Sequence, residues 1–210
     1  MINLIFDLDG CLIDSTEVQK KAFYGSYAEV VGDDKCPSFE EYMKYTGDSI
    51  TNVMKKMGLP MEMVESYRRI SCEAIDRISV NMDCIQLIQD YRKKGSKIAI
   101  CTGKDHYRAE DILRFYGIVD LFDALISSDD VDEPKPSAKP IMAAIEKMKV
   151  KKEECVVIGD GYNDILSAHN AGVKAILTLW YGDSGVPRIS DYSVSNVEEL
   201  KKMLYVLEND

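Results

Sequence analysis

From residue 81 onward, short apolar runs alternate with helical segments: Lys97 to Cys101, Ala124 to Ser127, Cys155 to Ile158 and Lys174 to Leu179 have strand length. The helical segments near Cys84 to Lys94, Asp105 to Tyr116 and Asn163 to Ala171 run into Gly95, Gly117 and Gly172, where left-handed caps are expected. This alternation constrains the architecture strongly. Parallel strands need crossover helices, and those helices cover both faces of the sheet, so the strands read as continuous apolar runs. An α/β core of three layers with a parallel sheet is therefore predicted, and the apolar run Ile2 to Phe6 must join that sheet.

Between the first strand and the rest, from about Ser15 to Ser79, the pattern is helical with no convincing strand. Apolar residues recur at Val18, Ala22 and Phe23, then at Met43, Ile50, Val53, Met54 and Met57, and again at Met63, Val64, Tyr67 and Ile70. Gly58-Leu59-Pro60 separates the last two helices. Residues 1–14 and 81–210 are thus expected to form the α/β core, and residues 15–80 a helical bundle inserted after the first strand. Hinges are expected around Asp14-Ser15 and Ser79 to Asp83, and a long surface loop over Tyr181 to Asp191.

Bulk properties exclude several function classes. The 210 residues are 46% hydrophobic, enough for a substantial core, and the net charge of -10 repels nucleic-acid phosphates. Lys55-Lys56, Arg92-Lys93-Lys94 and Lys151-Lys152 are scattered rather than gathered into a basic stripe. No apolar stretch approaches bilayer length, and the amino terminus turns acidic at Asp7 instead of showing a signal segment. A cytoplasmic protein that binds neither nucleic acid nor membrane is expected, as a monomer or a homodimer. Its six cysteines show no metal or redox spacing, which fits a reduced compartment. Cys11 abuts the acidic motif but has no general base near it in sequence, so packing is its expected role.

The strand ends carry the chemistry. Asp7-Leu8-Asp9-Gly10 follows the first strand, Thr102-Gly103-Lys104 the next, Lys135 comes after the third, and Gly159-Asp160-Gly161-Tyr162-Asn163-Asp164 follows the fourth. In an open parallel sheet the carboxyl ends of adjacent strands share one crevice, so these residues should meet. Two carboxylates one residue apart behind a buried strand need a cation. Mg²⁺ suits such a site, since it takes a few carboxylates, several waters and phosphate oxygens. The set offers a carboxylate nucleophile, a second carboxylate for proton transfer, a hydroxyl and amides for phosphate oxygens, and an ammonium for charge.

In this order and spacing the four motifs resemble those of the haloacid dehalogenase superfamily, in its phosphatase branch with a helical cap inserted after the first motif. The resemblance covers essentially the whole chain and implies a Rossmann-like core. It implies that Asp7 becomes aspartyl phosphate, and that Asp9 protonates the leaving oxygen and later activates water. Thr102 and the Gly103 amide, with Leu8 and Lys104 beside them, would bind the phosphoryl group, and Lys135 would neutralise charge. Mg²⁺ would be held among Asp7, Asp9, Asp160 and Asp164, and the partner would be a small phosphorylated metabolite. Thr102-Gly103-Lys104, Ser128-Asp129-Asp130-Val131 and Leu179-Trp180-Tyr181-Gly182 resemble phosphoglycolate phosphatases and phosphatases of aminohydroxybenzoate biosynthesis.

Departures from the family pattern refine this expectation. Lys135-Pro136-Ser137-Ala138 lacks the second proline of the usual lysine motif but keeps the lysine. Related sugar phosphomutases carry a histidine ten residues beyond the second aspartate, where this chain has Gln19, and an arginine near Gly47, where it has Asp48-Ser49. A phosphomutase is therefore the weaker alternative, and a substrate with one phosphate fits better. A non-enzymatic phosphate-binding regulatory module is disfavoured by the position of the first aspartates and by the large insert. Asp164 stands where a dinucleotide fingerprint needs its third glycine, and Asp9 speaks for phosphate chemistry over dehalogenation. Lys44, Thr46, Asp48, Ser49 and Asn52 are candidates for selectivity; His106 and His169 are expected to have none of the chemistry.

Overall fold

The structure is a computed structural model and describes residues 1–32, 35–181 and 189–209. The chain begins with β1 (Asn3–Phe6) and β2 (Ile13–Asp14) and continues through α1 (Thr16–Val30), α2 (Phe39–Met43), α3 (Ile50–Met57) and α4 (Met63–Glu73). β3 (Ser79–Val80), α5 (Met82–Lys93), β4 (Ile98–Cys101), α6 (His106–Phe115) and β5 (Ala124–Ile126) follow. The remainder is α7 (Lys139–Met148), β6 (Cys155–Gly159), α8 (Tyr162–Ala171), β7 (Lys174–Thr178), β8 (Tyr192–Val194) and α9 (Val197–Asn209). Among the described residues no helix is long and apolar enough to cross a membrane.

Six strands form one sheet in the order β5-β4-β1-β6-β7-β8, every pair parallel. β1 lies at the centre, with Phe6 level with Ile100 on one side and Ile158 on the other. The two-residue period of a strand explains its composition. Leu4 and Phe6 pack with Ile98, Ile100, Val156 and Ile158 under α5, α6 and α9, while Ile5 packs with Ala99, Cys101 and Val157 under α7 and α8. Each fully buried side chain of this size contributes about 1.5–3 kcal/mol of hydrophobic stabilisation. Asn3 is the polar member of β1: its Oδ1 accepts from the Lys97 amide and its Nδ2 donates to the Glu154 carbonyl, which aligns the strand starts.

The expected alternation of strand and helix is present, and Gly95, Gly117 and Gly172 all have positive φ at the ends of α5, α6 and α8. Serine and asparagine start other helices as N-caps: Ser38, Ser49 and Asn81 accept from the amides of Glu41, Asn52 and Cys84. Beyond Leu179 the sheet gains β8 and the chain gains α9, neither of which is expected from the sequence pattern. Three residues are too few for a two-residue period to stand out, and β8 is recognisable only by its pairing with β7. Of the loop expected over Tyr181 to Asp191, residues 182–188 lie outside the described residues.

Residues 16–73 enclose their own apolar cluster, centred on Ala22, Phe23, Tyr42, Met54, Met63, Tyr67 and Ile70. The chain enters and leaves this region at one place, because β2 and β3 pair antiparallel, Ile13 with Val80 and Asp14 with Ser79. Asp14 also accepts from the Thr16 amide and so fixes the turn into α1. Phe23→Ala, at a residue with 0% exposure, is expected to destabilise this cluster by about 3–5 kcal/mol. Hydrogen exchange should speed up in α1 and α4 while β1, β4 and β6 keep their protection. Equal loss across the sheet would show that the two cores unfold as one unit.

Candidate active site

The chain runs outward from β1 to β4 and β5, then crosses to the other side of β1 for β6, β7 and β8. A reversal of this kind opens a crevice at the carboxyl ends of the strands it separates. Asp7 follows β1 directly, its amide continuing the ladder to the Ile158 carbonyl at 2.8 Å. Gly10 then turns the chain back with φ of 74°, and a Cβ there would lie 2.0 Å from Asp160 Oδ2. Only glycine satisfies both the backbone and the approach.

Lys135 reaches into this crevice from the segment between β5 and α7. Its ammonium donates to Asp7 Oδ1 at 2.8 Å, to the Cys101 carbonyl at 2.6 Å and to Asp164 Oδ1. All three donors of the ammonium are therefore used, the condition for burying such a charge. The other oxygen of Asp164 accepts from the Gly161 amide at 2.9 Å, so this residue both caps α8 and faces the site. Asp7, Asp160 and Asp164 each offer a carboxylate oxygen within 4.8 Å of the others.

The charge of Lys135 does not balance three carboxylates. Burial pushes Asp7 up to about 7 even with Lys135 alongside, and Asp164 adds to the rise. Burial likewise carries Asp160 well above the usual carboxylate range, reinforced by Asp164 and Asp7. Lys135 is raised as well, but for a different reason: burial works against its charge, and Asp164 and Asp7 more than compensate.

Asp9 is not part of that group. Its side chain accepts from Ser15 Oγ and lies 3.1 Å from the Lys104 ammonium, while Ser15 Oγ accepts from Gln19 Nε2 at 2.8 Å. Burial would raise Asp9, yet Lys104, the Ser15 hydroxyl and Arg108 hold it below its ordinary value. The structure thus separates a carboxylate cluster at Asp7, Asp160 and Asp164 from an ion pair at Asp9.

Both groups open onto one cleft of about 510 Å³ between the sheet ends and the helical region, which Thr102, Gly103 and Lys104 also line. Thr102 is buried, its amide bonded to the Ile126 carbonyl at 2.9 Å. A Cβ on Gly103 would lie 2.6 Å from the Gly47 carbonyl oxygen, so the loop before α3 comes down on this strand end. Leu8 has its side chain in the core and its carbonyl bonded to the amides of Leu12 and Ile13, so a phosphate contact from Leu8 can come only from its amide.

Of the selectivity candidates, Lys44, Thr46 and Asp48 line the cleft. Ser49 instead caps α3, and Asn52 donates to Asp48 Oδ1 at 2.8 Å. His106 pairs with Asp130 at 2.7 Å and His169 with Asp191 at 2.9 Å, both away from the cleft lining. Trp180 Nε1 donates to the Cys11 carbonyl at 3.0 Å and fastens the first loop, while burial pushes the Cys11 thiol well above its usual value. A buried, protonated thiol is a packing group.

Sequence reasoning passes over two participants. Ser15 reads as a hinge residue, and Arg108 falls within the helical segment Asp105 to Tyr116 with no role assigned to it, although both line the cleft. The one local signal for Arg108 is Asp105 three residues earlier, a spacing that brings the two side chains together on α6.

The sequence profile of the haloacid dehalogenase-like hydrolases matches residues 4–178. The pyrophosphatase PpaX of Bacillus mycoides (strain KBAB4) is 28% identical over 180 residues, spanning 84% of this chain and 83% of that protein. Among solved structures, CbbY from Rhodobacter sphaeroides in complex with phosphate superposes with a TM-score of 0.84 at 23% identity, covering 95% of this chain and 96% of that one. A predicted phosphoglycolate phosphatase from Haemophilus somnus 129pt gives 0.81 at 19% identity, covering 96% and 97%.

The raised Asp7 has a consequence for stability. Its ordinary value is 3.8 and its folded value about 7, so the folded state holds a proton that the unfolded state releases between those limits. With chelator present, the denaturation midpoint should therefore fall as pH rises from 5 to 8, with the raised Asp160 acting in the same sense, and Asp7→Asn should make that fall shallower. Carboxylates held low in the fold, such as Asp105 and Asp123, act in the opposite sense but below this window. An identical pH profile in Asp7→Asn would remove Asp7 as the source.

Proposed function

We propose, from the chain's membership of the haloacid dehalogenase-like hydrolases, that it is a phosphatase which hydrolyses a small phosphomonoester with Mg²⁺ through an aspartyl-phosphate intermediate. The observation that carries this reading is the buried Asp7 carboxylate, fixed through Oδ1 by Lys135 and grouped with Asp160 and Asp164. Three carboxylates in close array are the hard oxygen donors Mg²⁺ takes, with room for waters and phosphate oxygens. Asp7 and Asp160 would hold the ion and Asp164 would support it. Bound there, Mg²⁺ would supply positive charge that offsets the carboxylates and the charge of the phosphoryl group.

The protein groups divide the work. With Oδ1 held on Lys135, Asp7 attacks phosphorus through its other oxygen and the bond from phosphorus to the leaving oxygen breaks. The Thr102 hydroxyl and the amides of Gly103 and Leu8 receive the phosphoryl oxygens. Asp9 gives its proton to the leaving oxygen, then takes a proton from the water that hydrolyses the aspartyl phosphate. Lys104 and the Ser15 hydroxyl beside Asp9 lower its proton affinity in the free site, and substrate binding that draws Lys104 away would raise it toward that of an acid. Residues 15–80 serve as the cap, whose descent on Gly103 excludes bulk water.

Gln19 favours hydrolysis over a mutase. Its amide donates to Ser15 and has no titratable proton to shuttle to a sugar hydroxyl. A small phosphorylated metabolite suits the cleft, and the phosphoglycolate phosphatase and pyrophosphatase names among the relatives indicate compact substrates. Phosphate release from a panel of small phosphomonoesters should require Mg²⁺, stop with chelator, and fall at least about a thousandfold in Asp7→Asn. Hydrolysis without divalent metal, or substantial turnover by Asp7→Asn, would overturn the reading.

A further inference from the structure

Beside Asp9 the cleft wall carries two cations with largely buried side chains, Lys104 and Arg108, paired with the carboxylates of Asp9 and Asp105. Arg108 on α6 and Asp105 just before it have side-chain exposures of 6% and 5%, and Arg108 Nε donates to Asp105 Oδ2 at 2.6 Å. Asp105 is shared, because Arg68 of α4 reaches across and binds both its oxygens, at 2.7 and 3.1 Å. Two guanidinium groups therefore divide one carboxylate. Arg68 has Glu65 as a further partner at 2.6 Å, whereas Arg108 donates in addition to a neutral hydroxyl, Ser71 Oγ at 3.2 Å. Arg108 thus shares its carboxylate with a second guanidinium, and an anion entering the cleft would strengthen its pairing.

The location of this charge tells what that anion is. Arg108 lines the same cleft as Asp7 and Asp9, with Lys104 beside it, and its field acts on Asp9. Under the proposed chemistry the leaving oxygen stands at Asp9, so the rest of the leaving group extends toward Lys104 and Arg108. Tyr67 completes the wall: the Arg108 guanidinium lies 5.6 Å from its ring centre, and its hydroxyl is bonded to that of Tyr42 at 2.7 Å. Neutral hydroxyls and two cations form a receptor for an anion.

We propose that Lys104 and Arg108 form a subsite for a second anionic group on the leaving group, so that this chain selects small phosphorylated compounds whose leaving group is itself acidic, carrying a carboxylate or being a second phosphoryl. This rests on the phosphatase reading of the cleft. Arg108 contributes a planar, permanently charged group and Lys104 a mobile one.

The test compares 2-phosphoglycolate, inorganic pyrophosphate and ethyl phosphate on the full chain with Mg²⁺, in wild type, Arg108→Gln and Arg108→Lys. Wild type should prefer at least one acidic substrate over ethyl phosphate by about tenfold or more in kcat/KM, and which of the two is preferred distinguishes carboxylate from phosphoryl. Arg108→Gln should collapse that ratio through KM, and Arg108→Lys should restore part of it. A loss shared equally by all three substrates would mark Arg108 as structural and overturn the subsite, as would a wild type without preference. Calorimetric binding of 2-phosphoglycolate, pyrophosphate and ethyl phosphate to Asp7→Asn reads the subsite without turnover. Preferential binding of an acidic ligand by Asp7→Asn together with a wild type that hydrolyses none of the three compounds would keep the subsite while defeating the phosphatase reading, and equal affinity would overturn the subsite.

Discussion

A buried ammonium organises the centre of this protein. Lys135 joins the end of β1 through Asp7, the end of β4 through the Cys101 carbonyl, and the start of α8 through Asp164. Three elements far apart in sequence thereby converge on one point at the mouth of the sheet. The arrangement is stable only as a set, because removing any one charged partner strands another in a low-dielectric interior, a loss of about 3–5 kcal/mol for a buried pair. The same requirement holds Asp7 in a single orientation, with one oxygen committed to the lysine.

Around this point the fold places two cores face to face. One is the sheet with its two helical layers, and the other is the cluster about Phe23, Met54 and Tyr67. The short β2–β3 pairing makes entry and exit adjacent, so the helical region can rest over the crevice without interrupting the sheet. Close approach is then a matter of missing side chains: Gly10 admits Asp160, and Gly103 admits the Gly47 carbonyl.

The cleft between the cores is electrically divided. Asp7, Asp160 and Asp164 make one end anionic, while Lys104 and Arg108 make the wall next to Asp9 cationic. A cation is attracted to the first and an anion to the second, and Asp9 sits between them with its proton affinity lowered by its basic neighbours. Burial is what gives these fields their strength, since charges of this separation in water are largely screened.

Much of this was legible in the chain itself. The strand and helix alternation after residue 81, the membership of the Ile2 to Phe6 run in the sheet and the gathering of Asp7, Thr102, Lys135 and Asp160 at one end follow from local periodicity and a general property of parallel sheets, whereas the central place of that run is set by the strand order. Local pattern failed at β8, whose three residues have meaning only beside β7. It also failed at the side chains whose partners come from distant elements. Nothing in the order of residues shows that Arg68 of α4 would share Asp105 with Arg108, that Lys104 would pair with Asp9, or that Asp9 would stand apart from the other carboxylates. Periodicity and spacing determine which elements form and which strand ends carry polar groups, because those depend on neighbours along the chain. Pairing, burial and the sign of the local field were decided only by the tertiary structure, because they depend on what the fold brings alongside.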